Sequence, residues 1–176
     1  MKARPGRRTS RLEFVVALTL AALFAGWWAT RFVEAQADVR ILRVREVATT
    51  MRMLSRELHL QALLANRADV SGEMSSSYGP VDMLGGHPAA SARGIGQLMA
   101  KHASARQMIC AAVQLPDPAR SGEQINAFEC APSELEPALR ERCAARFMPP
   151  LWPGGEPTVT FLFHSARVAG QPCAVD

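Results

Sequence analysis

Apolar positions follow three different rules along the chain. Residues 14–30 form one unbroken run of 17 uncharged residues, mostly Ala, Leu, Val and Phe. As a helix rising 1.5 Å per residue, the run reaches about 26 Å, close to the roughly 30 Å hydrocarbon core of a bilayer. Trp27 and Trp28 stand near its end, where indole rings suit the headgroup level. From residue 31 to 66 there is no Gly and no Pro, and apolar side chains recur at Val33, Ala37, Ile41, Val44, Val47, Met51, Leu54, Leu58 and Ala62. Steps of three and four place these on one helical face, with Glu34, Asp38, Arg45, Arg52 and Arg56 opposite. The pattern predicts one helix over residues 10–66, with a transmembrane half (13–30) and an amphipathic half (31–66). The steps lack the alternation of a coiled coil, so the stripe is expected to pack on a sheet.

Beyond residue 66 the helical rule ends. Residues 71–96 are rich in Gly, Ser and Pro, including Gly85-Gly86-His87-Pro88, and read as a long loop with at most one helical turn. A short helix is expected over 92–106. Strand composition appears at 107–115, 124–130 and 158–164. Between the last two, Ser133 and Glu136 resemble a capping box. Leu135, Leu139, Cys143 and Phe147 then follow at steps of four, which predicts a helix over 133–147. The expected fold class is α+β: a long N-terminal helix packed on a small antiparallel sheet domain over residues 67–176.

Charge and cysteines place these parts. The net charge of +4 is concentrated in Lys2, Arg4, Arg7, Arg8 and Arg11, within a basic leader over 1–12 that suits the cytoplasmic side of a membrane helix. Without these residues no basic stripe remains, which excludes nucleic acid as a partner. Arg31, Arg40, Arg43 and Arg45 follow the apolar run closely, so charge alone orients it weakly. The four cysteines, Cys110, Cys130, Cys143 and Cys173, give an independent argument. An even count on one side of the anchor fits an oxidising compartment, and spacings of 19, 12 and 29 residues do not suit a zinc site. Two disulfides are expected. Of the three connectivities, Cys130–Cys143 with Cys110–Cys173 is preferred. The apolar run exceeds the usual core of a secretory signal and lacks a small-residue cleavage pattern, so the anchor is expected to be retained.

The sequence offers no catalytic spacing: no nucleophile elbow, no zinc-protease helix and no phosphate-binding loop. His59, His87, His102 and His164 are scattered, and no enzyme activity, metal or cofactor is expected. Inner membrane lipid is the expected immediate partner of the apolar run. Glu13 stands at its edge, where a carboxylate costs less than the roughly 2.5–3.5 kcal/mol of the bilayer centre. The plain reading puts Glu13 among the headgroups, paired with Arg11 or a lipid.

A second reading of Glu13 comes from the run Thr9-Ser10-Arg11-Leu12-Glu13-Phe14-Val15-Val16-Ala17-Leu18 behind the basic leader. Together with the long helix and the small cysteine-bearing domain, it resembles type IV pilins and type II secretion pseudopilins. The resemblance implies leader processing between Arg8 and Thr9, which would make Glu13 the fifth residue of the mature chain. Arg8 and Thr9 stand where that family has Gly and Phe. It further implies a structural subunit assembling with copies of itself or with other pilin-like subunits. In such an assembly Glu13 neutralises a neighbour's terminal amine within the apolar filament core. The implied location is the bacterial inner membrane, single-pass, with the C-terminal domain in the periplasm. The alternative is a signal-anchored single-pass envelope protein serving as an accessory or assembly factor of a membrane complex.

Overall fold

The computed structural model describes residues 11–67, 69–117, 122–140, 143–150 and 155–163. A single helix, α1, runs Arg11–Leu64. The chain divides into two units, Met1–Gln36 and Ala37–Asp176, so the second half of α1 belongs to the same unit as the sheets.

In the first unit, Glu13–Phe32 is long and apolar enough to cross a membrane, with a mean hydropathy of 1.5 and none of its window buried. Its two hydroxyl groups are satisfied locally, as a lipid-facing helix requires. The Thr19 hydroxyl donates to the carbonyls of Val15 and Val16, and that of Thr30 to the carbonyl of Trp27. The Arg31 guanidinium lies over the Trp27 ring at 5.9 Å from its centroid, a cation–π contact that suits an interfacial pair.

In the second unit, the expected stripe is the core. Val44, Val47, Met51, Leu54, Leu58 and Ala62 are buried, and Ile41 packs against them. They share one cluster with Val81 and Met83 of the first sheet, Ile95, Leu98 and Met99 of a short helix, and Phe128, Phe147 and Val159 of the second sheet. The class is α+β, with two small antiparallel sheets. The first comprises β1 (Gly72–Ser76), β2 (Gly79–Leu84) and β3 (His87–Pro88), in that order. The second is the meander β4 (Met108–Pro116), β5 (Gln124–Pro132), β6 (Cys143–Met148) and β7 (Thr158–Phe163). Between the sheets lie α2 (Ile95–Ala100) and a 3-10 turn at Ala103–Ala105, where one short helix over 92–106 was expected.

Two expectations fail, each for a physical reason. Residues 72–88 of the Gly- and Ser-rich stretch 71–96 form the first sheet rather than a loop. Its two hairpins close through two-residue turns, with Ser76 paired to Gly79 and Leu84 to His87. Gly85 and Gly86 have φ of +57° and +79°, the doubly left-handed turn that matches strand twist. The Ser76 hydroxyl braces the first turn by donating to the Gly79 carbonyl and accepting from the Tyr78 amide.

The expected helix over 133–147 is only a turn, α3 (Pro137–Arg140), followed by β6. Cys143, Ala144, Ala145 and Phe147 are all buried, so both faces of this segment are covered. A central strand between β5 and β7 satisfies its backbone on both sides, which outweighs the helical spacing. Arg146 and Glu129 face each other across β5 and β6, and both guanidinium nitrogens Nε and Nη2 donate to one carboxylate oxygen, at 2.9 and 2.6 Å.

The preferred cysteine pairing is also overturned. Cys110 and Cys130 are directly opposite on β4 and β5 and form a disulfide. Cys143 is itself disulfide-bonded, on β6 rather than on a helix, and its partner lies outside the described residues, as does Cys173.

Candidate functional site

Two features of α1 carry chemistry. The first is its outward face. At 100° per residue, Leu42, Met53, Leu60 and Leu64 fall within about 40° of one another and roughly opposite Met51 and Leu58 of the core stripe. Their exposures run from 53% at Met53 to 88% at Leu64, and Val39 and Leu63 flank them, also exposed. The second half of α1 therefore has one apolar stripe buried in its own domain and, opposite it, exposed apolar side chains interspersed with exposed Glu46, Thr49 and Glu57. Sequence reading took this outer side as charged because Arg45, Arg52 and Arg56 dominate it. The signal was present in the spacings of 11, 7 and 4 residues, each close to a whole number of turns.

Glu13 is exposed and lies near the start of the described part of α1. Arg8 and Thr9 lie outside the described residues.

The second feature is a cavity of about 410 Å³, lined by Arg52, Arg56 and His59 of α1, by Asp69 between α1 and β1, by Gly85 and His87 at the β2–β3 turn, and by residues 155–157 with Val159. The tight Gly85–Gly86 turn brings His87 onto His59. The two rings stack with centroids 4.1 Å apart and planes 8° from parallel. His59 Nδ1 is 2.9 Å from the Gly86 carbonyl oxygen, which fixes the neutral ring with its proton on Nδ1. His87 is 6% exposed, and its Nδ1 is buried without a hydrogen-bond partner. Burial pushes His87 below the ordinary imidazole value, and the facing His59 ring acts in the same direction. The Glu156 carboxylate and a backbone hydrogen bond at Gly155 oppose this.

Arg52 anchors the rim by donating to the Val159 carbonyl at 2.6 Å and lying over the Phe161 ring. In the sequence His59 and His87 are simply scattered, with His87 inside the stretch expected to be a loop. Nothing in periodicity joins them, although a Gly-Gly pair between short strands is a hairpin signal. His102 stands apart, beside the Ser104 hydroxyl, and His164 is outside the described residues. Among the described residues, no group of three or more His, Cys, Asp or Glu side chains is placed to hold a metal ion. The chain matches no protein-family model, no curated protein and no solved structure.

Proposed function

We propose that the chain is a pilin-like structural subunit of a type IV pilus or type II secretion pseudopilus, held in the bacterial inner membrane with its sheet domain in the periplasm. The observation that carries this reading is the set of exposed apolar side chains on α1, lying opposite the buried stripe. Exposed Leu42, Met53, Leu60 and Leu64 have an unfavourable contact with water, relieved when they meet another apolar helix. The membrane-spanning half supplies the anchor. The Cys110–Cys130 disulfide supports an oxidising location for the domain, and the basic leader supports a cytoplasmic N-terminus. Glu13 then serves assembly, its carboxylate meeting the terminal amine of a neighbouring subunit where no water competes for either charge.

The residues at the processing position favour a second reading. With Arg8 and Thr9 in place of Gly and Phe, a retained leader would make the chain a signal-anchored accessory factor. Intact mass and N-terminal sequence, measured on unreduced protein from native membranes, separate the two. A chain starting at Thr9 supports the subunit. A chain starting at Met1 leaves the accessory factor and removes the assembly role of Glu13.

A further inference from the structure

The His59–His87 stack joins three segments that are distant in sequence: α1, the β2–β3 turn and residues 155–157. We propose that this pair is a pH-operated clasp, closed while the His87 ring is neutral in the stack and opened by its protonation, that holds the β2–β3 turn and the 155–157 segment on α1.

The geometry favours a neutral ring at His87. His59 already uses its Nδ1 proton on the Gly86 carbonyl. His87 Nδ1 is buried without a partner, so the neutral ring carries its proton on Nε2, and a second proton would be buried on Nδ1 with no acceptor. Nearly parallel rings 4.1 Å apart also set any second positive charge against the first. The surroundings do not rescue it. From α1, Arg52 and Arg56 add two further cations; Asp69, after α1, and Glu156, in the 155–157 segment, supply two carboxylates. Those two carboxylates are already balanced by the two guanidinium groups, so an imidazolium in the stack adds an uncompensated positive charge. The cavity of about 410 Å³ gives water and protons a route to the stack.

The sign follows from where the proton binds more tightly. His87 is lowered in the folded state, first by burial and then by His59. Between that lowered value and the ordinary imidazole value near 6.5, the open form binds more protons than the closed form. The clasp is therefore fully closed above about pH 6.5 and weakens as pH falls below it, until the lowered value is passed. Its opening exposes the Gly85–Gly86 turn and the floor of the cavity while leaving the Met51–Leu58 core in place. A domain outside the cytoplasm experiences external pH directly, and this pair gives it a local response.

Hydrogen exchange of the full-length chain in detergent micelles at pH 7.5 and 5.0, corrected for intrinsic rates, tests the clasp. Peptides covering 83–90 and 155–160 should lose protection on acidification, about tenfold for each pH unit by which folding lowers the midpoint, while peptides within 44–58 stay protected. His87→Phe keeps a ring in the stack and removes the proton site, so its protection should be independent of pH. His59→Asn retains a donor for the Gly86 carbonyl and removes the second charge. It should raise the midpoint of His87 in a proton NMR titration, and it carries the test if the Phe variant does not fold. Equal protection at both pH values, the same acid loss in His87→Phe, or an unmoved midpoint in His59→Asn overturns the proposal.

Discussion

Leu58 and Leu60 sit two residues apart on α1 and should behave as opposites. Leu58 is 2% exposed within the core cluster, and Leu60 is 58% exposed on the opposite face. Leu58→Ala removes three buried carbon groups, a transfer loss of about 2.4 kcal/mol at about 0.8 kcal/mol per group. The cavity left behind raises the total to about 3–5 kcal/mol. Leu60→Ala forfeits only about two-fifths of the transfer term, roughly 1 kcal/mol as an upper bound, and the higher helix propensity of Ala offsets a few tenths of that. The assay is protease resistance of the sheet domain across a urea series, on full-length protein in detergent. Leu58→Ala should move the midpoint strongly downward. Leu60→Ala should leave it near wild type while weakening self-association. Equal losses of stability from the two variants would refute this reading of the two faces of α1.

Other substitutions probe the rest of the domain. Arg146→Ala strands the Glu129 carboxylate, whose side chain is 12% exposed, and should cost about 3 kcal/mol in the same assay, with Glu129→Gln added in the double variant recovering part of it. Ser55 is 1% exposed and its hydroxyl has no partner, so Ser55→Ala should raise stability by about 1 kcal/mol, seen as a higher urea midpoint. Replacing Cys110 and Cys130 by Ala opens a cross-link of sequence separation 20, and should lower stability by about 3 kcal/mol. At Gly94 an added Cβ would lie 2.0 Å from the Ala89 carbonyl oxygen, so Gly94→Ala should sharply reduce folded yield. Gly26→Ala meets nothing within 4 Å and should be neutral.

How much of this was legible in the sequence depends on how local the deciding interactions are. The long helix was readable because its stripe repeats over many turns without Gly or Pro, and the observed helix ends at Leu64, two residues before the expected end. Strands β4, β5 and β7 were legible from their composition. Strand β6 was not, because Cys143-Ala-Ala-Arg-Phe147 has weak strand propensity and becomes a strand only by lying between β5 and β7. The first sheet was hidden by short strands rich in Gly, Ser and Pro, although its Gly85–Gly86 turn was a readable signal. The disulfide required the β4–β5 register, which no spacing rule supplies. The histidine stack required that turn to fold against α1, so its two members looked unrelated until the tertiary structure joined them.

The most direct measurement places a photo-crosslinking amino acid at position 60 of the full-length chain in native membranes, with position 133 on the sheet domain as the control. Crosslinks from 60 to α1 of a second copy, forming a ladder at multiples of the subunit mass and absent from position 133, are the expected result. No crosslink from 60 to a second copy, with the chain remaining monomeric at native expression, would contradict the assignment of α1 as an assembly helix.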